Sequence, residues 1–219
     1  MLIGLTGGYC AGKNSACAIL EARGWKCIDA DLLGREAMRL PEAREAILRR
    51  FGPGVALPDG SLDRRAIAEL VFSDPAALAD QEAIVHPIAI RLIGERIAAA
   101  EAAARAEGRE SLVCVNAALL HRSGMLARLD AVIEIRAPIL IRLLRGMRRD
   151  GEGLGGALRR LTRQRGFAAA LRSAAAAESA RAGKPPPPII GLRNGRGGEV
   201  LEAAVLEALL AIGKQAARH

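Results

Sequence analysis

Aromatic side chains are nearly missing from this chain: one Trp, one Tyr and three Phe among 219 residues, 2% in all. A surface so poor in rings has few platforms on which single-stranded bases stack. No apolar run reaches the length of a membrane span, and charges interrupt every segment, so no transmembrane helix is expected. There is no charged, apolar, small-residue leader pattern at the start either. Met1 leads straight into a strand-like run, and a cytoplasmic location is expected. Cysteine is sparse, and Cys10, Cys17, Cys27 and Cys114 follow neither a C-x-x-C nor a zinc spacing. They fall in or beside apolar runs and are expected to be reduced, buried thiols. Cys10 differs, because it stands in a glycine-rich loop beside a helix start, where a thiol pKa can fall. His121 and His219 have no partner pattern and suggest no metal.

What is present is a hydrophobic content of 51%, enough for a packed core, in a length that suits one domain or a core with inserted lobes. Net charge is +8 and the pI is near 10.1, which favours anionic partners. Arginine carries most of that charge, much of it on Ala-rich helices, and most of these arginines are expected on solvated faces. Phosphorylated small molecules are therefore weighed ahead of nucleic acid. No obligate protein partner is expected, and no internal repeat is visible.

Five short apolar runs read as strands: "LIGLT" at 2–6, "KCIDAD" at 26–31, "SLVCVNAALL" at 111–120, "DAVIEIRAP" at 130–138 and "PIIGLRN" at 188–194. Helical stretches separate most of them. The first helix starts near Gly12, buries Ala16, Ile19 and Leu20, and is ended by Gly24. Alternation of this kind predicts an α/β fold of three layers, α/β/α, around a five-stranded parallel sheet. Two stretches exceed a plain crossover. Residues 32–110 are helical in pattern, broken by "FGPG", "LPDGS" and "DP", and predict an inserted helical lobe. Residues 151–187 run from "GEGLGG" through an arginine-dotted helix to "KPPPP", and predict a helical lid or flap with a stiff extended exit. The core is then 1–31, 111–150 and 188–219. Its closing helix, 198–217, has apolar spacing at Val200, Leu201, Ala204, Val205, Ala208 and Leu209.

The stretch "GLTGGYCAGKNSA", residues 4–16, nearly matches a phosphate-binding loop of the P-loop NTPase type, G-x-x-x-x-G-K-[ST]. Gly7, Gly12 and Lys13 are in place, so backbone N–H groups can turn inward around a phosphate, with a helix N-terminus behind them. Gly8, Tyr9, Cys10 and Ala11 complete the nucleotide-binding loop, and Ser15 follows it. Asn14 stands where a hydroxyl is usual. Its amide oxygen is a neutral donor that a hard cation such as Mg²⁺ accepts. Ser15 cannot substitute, because one residue along a helix is a rotation of about 100°.

The likeness extends beyond the loop. The chain has "IDAD" at 28–31, "FG…PDGSLDRRAIAELVFSDP" from Phe51 to Pro75, "HP" at 86–87, "LLHRSG" at 119–124 and "RGMRRD" at 145–150. In order and spacing these resemble the dephospho-coenzyme A kinase family. The resemblance implies transfer of the ATP γ-phosphoryl to the ribose 3′-hydroxyl of dephospho-CoA, giving coenzyme A, with ATP and Mg²⁺ as cofactors. It gives Asp31 the role of accepting the hydroxyl's proton and Lys13 that of meeting the β- and γ-phosphates. Arg145 would neutralise charge in the transition state, Thr6 would lie near the reacting phosphate, and Arg149 and Arg142 are weaker nucleotide-binding candidates. Asp31 and Asn14 are the metal candidates. The helical insert would hold dephospho-CoA through Arg64, Arg65 and His86, with Asn116 and Leu119 beside it. His86 before Pro87 reads equally as a structural histidine. Arg163 and Arg165 lie in the lid and would close over ATP. Asp29, two residues before Asp31, reads as a structural hydrogen-bond acceptor.

The chain departs from the family at several points. Cys10 replaces a usual glycine, so the turn is expected to be of a type that tolerates a Cβ. In "VNAALL" Asn116 replaces an acid and Ala118 a proline, and in "RNG" at 193–195 Arg193 replaces an acid. Lys13, Asp31 and Arg145 are retained, so a working site is expected. Another small-molecule or nucleoside kinase on the same core, or a nucleotide-sensing protein without turnover, are the alternatives.

Overall fold

A computed structural model describes residues 1–150, 153–162, 166–195 and 198–216. Arg163, Arg165 and His219 lie outside them. The five expected strands form one parallel sheet: β1 (Leu2–Gly7), β2 (Lys26–Asp29), β3 (Val113–Asn116), β4 (Ala131–Arg136) and β5 (Ile189–Arg193), in the order β2-β3-β1-β4-β5. β1 is central. Its Leu5 stands level with Asn116 of β3 and Ile133 of β4, and Ile3 to Gly7 are all buried. Continuous burial, rather than alternation, is what a strand covered on both faces requires.

Two helices supply the cover that matters for the loop. α1 (Lys13–Glu21) buries Ala16 and Leu20, with Ile19 half-buried, and the chain turns back at Gly24 with φ 81°. α9 (Gly198–Ala216) buries Leu201, Val205, Ala208 and Ile212 against Ile3, Leu5, Cys114 and Ile133. The buried stripe therefore runs through 201, 205, 208 and 212, and Val200, expected inside, is 49% exposed.

Four of the strands, β2 to β5, end earlier than expected, and for two of them the cause is local. β2 stops at Asp29 because the Asp29 carboxylate accepts the Leu32 N–H and caps α2 (Ala30–Ala37). Asp29 is thus the structural acceptor the sequence suggests, and Asp31 stands in the first turn of a helix, not at a strand end. β3 stops at Asn116, where the Ala117 N–H still bonds Leu5 O but its carbonyl takes the Thr6 hydroxyl, and a 3₁₀ turn follows at Leu120–Arg122.

Residues 1–28 with 100–219 make one compact unit, and residues 29–99 a second. The second has its own small core of Ile47, Val55 and Ile67. Its helices break where the turn signals stand: α3 (Pro41–Phe51) ends at Gly52, and Asp63 caps α4 (Arg64–Ser73). α5 (Pro75–Ala106) runs through Pro87 as a single helix of 32 residues.

In the first unit α6 (Ile139–Asp150) follows β4, and α7 (Leu154–Thr162) packs against it. The arginine-dotted stretch is not one helix. α8 (Phe167–Ala182) starts afresh behind Gly166, which has φ 78°. The prolines at 185–188 lie outside any helix or strand and lead directly into β5. Among the described residues no helix is long and apolar enough to cross a membrane.

Candidate active site

The glycines of the loop stand where a side chain has no room. Gly7 has φ 152°, and a Cβ there would lie 2.4 Å from the Ile135 carbonyl oxygen. Gly12 has φ 106°, and its Cβ would meet Asn194 Nδ2 at 2.0 Å. Between them the chain makes a turn in which Ala11 N–H bonds Gly8 O at 3.0 Å. Cys10 lies in that turn with φ 55°, and it is the one non-glycine residue with positive φ among those described. A φ of 55° lies in the left-handed region, which a residue with a Cβ can enter. The path of the loop keeps the left-handed conformation that glycine would take, and the Cβ costs about 1 kcal/mol there.

α1 begins at Lys13 with no acidic residue in its first turn, so nothing in that turn neutralises its N-terminal donors and dipole. The half-buried Lys13 folds back over the loop and its Nζ donates to Gly7 O at 3.0 Å. Asn14 and Ser15 are exposed on the first turn. Thr6 is fully buried and its hydroxyl donates to Ala117 O at 2.8 Å, which ties the end of β1 to the end of β3. Beside it, Asn116 is buried and its Oδ1 has no hydrogen-bond partner.

α6 faces the loop with arginines three and four residues apart, the spacing that shares one helical face. Arg142 Nε donates to Tyr9 O at 2.7 Å, and its guanidinium fills the space a Cβ on Gly8 would need. Burial pulls this guanidinium below its ordinary pKa, with Cys10 opposing. Arg145 donates to both oxygens of Asn194, the carbonyl and Oδ1, at 3.4 Å each. Asn194 in turn donates from Nδ2 to Ala11 O at 2.8 Å. Arg149 lies over the Tyr9 ring at 5.2 Å, with Arg160 of α7 at 5.5 Å from it. Tyr9 is buried with Leu143, Ala157 and Leu161, and α6 approaches so closely that a Cβ on Gly146 would stand 2.6 Å from the ring. A cleft of about 280 Å³ opens between loop, sheet and α8, lined by Gly8, Ala11, Glu134, Arg136, Arg142 and Phe167.

The loop residues, Thr6, Asn116, Arg145 and Arg149 are thus gathered in the first unit, with Arg142 closer to the loop than its weaker standing suggests. Leu119 is 44% exposed at the turn after β3. The other expected residues belong to the second unit. Asp31 is exposed in the first turn of α2, and Arg64 is exposed at the start of α4. Arg65 is held by Glu69 at 3.0 Å on the same helix. His86 is exposed on α5, just before Pro87. Asn194 and Glu134 are the residues that sequence reasoning misses. The buried Glu134 accepts from Arg136 at 2.5 Å beside the cleft. The available signal for Asn194 is its place just past the C-terminal end of a strand, where sheets of this class bind ligands.

The described donor set suits phosphate better than a tightly held metal. Among the described residues no group of three or more His, Cys, Asp or Glu could hold a metal ion. The orphan Asn116 oxygen and the exposed Asn14 amide are neutral oxygens, fitting an ion that keeps most of its water and arrives with phosphates.

A family model for dephospho-CoA kinase matches residues 1–177. A dephospho-CoA kinase of Anaeromyxobacter dehalogenans is 41% identical over 204 residues, covering 90% of this chain and 94% of that one. One of Geobacter metallireducens is 41% identical over 169 residues, 75% and 80% of the two chains. Among solved structures, TT1252 of Thermus thermophilus superposes with a TM-score of 0.70 at 31% identity, covering 96% of both chains. A dephospho-CoA kinase of Campylobacter jejuni shares the fold, with a TM-score of 0.63 at 21% identity over 98% of both chains.

Proposed function

This chain belongs to the dephospho-CoA kinase family, and we propose from that footing that it moves the γ-phosphoryl group of ATP to the ribose 3′-hydroxyl of dephospho-CoA. The observation that carries the proposal is the loop itself: glycines at both ends, Lys13, a helix N-terminus without acids, and Arg145 tied through Asn194 to Ala11. Asp31 takes the proton of the attacking hydroxyl. As the new O–P bond forms, the bond from the γ-phosphorus to the β–γ bridging oxygen breaks, and ADP leaves. Lys13 and the α1 N-terminus neutralise the β- and γ-oxygens, and Arg145 meets the charge spread over the equatorial oxygens. Arg142 and Tyr9 fix the loop for that work. Mg²⁺, brought in with ATP, supplies further charge neutralisation, and Asn14, Asn116 and Asp31 are the side chains that would hold it. Arg64, Arg65 and His86 bind dephospho-CoA. A cytoplasmic setting accords with four free cysteines.

A panel of acceptors tests the assignment. With ATP and Mg²⁺, dephospho-CoA is expected to turn over at least a hundredfold more efficiently than nucleosides or free sugars, by mass spectrometry of the phosphorylated product. Preference for a nucleoside would overturn the acceptor, and binding of ATP with no turnover would point to a nucleotide sensor.

A further inference from the structure

Three of the four thiols meet on the α1 side of the sheet, all within the first unit. Cys17 comes from α1, Cys27 from the edge strand β2 and Cys114 from β3. Their side chains lie within hydrogen-bonding reach of one another, and Cys27 Sγ also donates to the Cys17 carbonyl at 3.6 Å. Cys114 is fully buried, while Cys17 and Cys27 are half-buried and open to a small solute. The mechanism above uses none of them. The trio is also not a metal site, since no cluster among the described residues could hold an ion.

The three sulfurs are not equivalent. Hydrogen bonds from Cys114 and then Cys17 pull Cys27 well below the ordinary thiol range, and Lys26 adds to this against the opposing effect of burial. For Cys17 the contact with Cys114 pulls down, but Cys27, burial and the charge of Glu21 outweigh it and push the thiol up. Cys114 is raised by its two thiol neighbours and by burial. Cys17 and Cys27, the two that a small solute can reach, lie side by side, the arrangement a reactive and a resolving cysteine require.

We propose that Cys17 and Cys27 form a peroxide-responsive dithiol that closes to a disulfide between α1 and β2. Cys27 gives up its proton, its thiolate attacks one oxygen of hydrogen peroxide and breaks the O–O bond, and the sulfur becomes a sulfenic acid while the departing hydroxide takes that proton and leaves as water. The Cys17 sulfur then attacks the Cys27 sulfur and expels its hydroxyl as water, using the Cys17 proton. In sum, two thiols and one peroxide give one disulfide and two waters. A disulfide is shorter than a thiol–thiol hydrogen bond, so closure draws α1, which starts with Lys13, toward β2. Displacements of about 1 Å at a reacting centre cost on the order of a hundredfold in rate. This consequence for activity rests on the proposed function, whereas the covalent chemistry does not.

The four cysteines fall on four different tryptic peptides, with Cys17 in 14–23 and Cys27 in 27–35. Reduced full-length protein is treated with stoichiometric hydrogen peroxide, digested without reductant and mapped by mass spectrometry. The expected product is a 14–23/27–35 cross-link, two hydrogens lighter than the sum of the reduced peptides and reversed by dithiothreitol. Cys17→Ser is expected to leave a dimedone adduct on Cys27. Coenzyme A formation by the wild type is expected to fall at least tenfold on oxidation and recover with dithiothreitol, while Cys17→Ser keeps its activity. Peroxide treatment without that cross-link, or oxidation directed to Cys10 or to a Cys27–Cys114 pair, would overturn the proposal. The cross-link forming in a protein that never makes coenzyme A when reduced would count against the kinase function and not against the dithiol.

Discussion

Asn194 joins three parts of the site through one carboxamide: it donates to the loop at Ala11 and accepts from Arg145, and it occupies the space a Cβ on Gly12 would need. Asn194→Ala leaves the Ala11 carbonyl without this donor and Arg145 without its side-chain acceptor. The expected result is a kcat lower by roughly 10- to 100-fold, with a stability loss of about 1–3 kcal/mol by thermal melting. A kcat within twofold of wild type would show that Arg145 needs no such brace. Asn194 escapes the sequence because an asparagine after a strand is an ordinary turn residue, and its partner Ala11 is 183 positions away. The turn glycines Gly7 and Gly12 are legible because their geometry depends on spacing within a few residues of chain. Asp31 was legible as a residue but not as to its element, since the Asp29 cap decides locally between another strand residue and a helix start. Cys10 shows the converse, a position whose backbone follows the loop rather than the preference of its side chain.

At the scale of elements, the five strands were readable as short apolar runs between turn signals, with ends that shift by one to four residues, at β2 because the Asp29 side chain caps the next helix. Neither the break before α8 nor what α8 packs on could be read. α8 packs on the 3₁₀ turns after β3, where Phe167 and His121 meet edge to face at 5.2 Å. The buried His121 Nδ1 has no partner, and burial, followed by the charge of Arg122, pulls the imidazole below its ordinary pKa. The unfolded chain therefore takes up a proton at higher pH than the folded one. The stability this neutral ring supports is present above the unfolded value, about 6.5, and is lost as pH falls below it toward the folded pKa. His121→Phe keeps a ring against Phe167 and removes the titration. Its melting temperature is expected to fall less than that of the wild type between pH 7 and pH 5. Parallel declines in the two proteins would contradict this origin.

The molecule as a whole is cationic, +8, while both proposed substrates are polyanions. Attraction of this kind is screened within about 10 Å at 0.1 M salt. The KM for each substrate is therefore expected to rise several-fold between about 50 and 500 mM NaCl, with kcat changing far less. Salt-independent KM values would assign binding to the close contacts alone. The central claim, however, is that a loop carrying Cys10 and Asn14 still supports phosphoryl transfer. The most direct measurement follows coenzyme A by mass spectrometry with ATP, Mg²⁺ and dephospho-CoA, for the wild type beside Lys13→Ala and Asp31→Asn. Product from the wild type and at least a hundredfold less from each variant is the predicted result. Failure of the wild type to bind ATP would show the loop to be dead, and equal activity in both variants would show that the chemistry lies elsewhere.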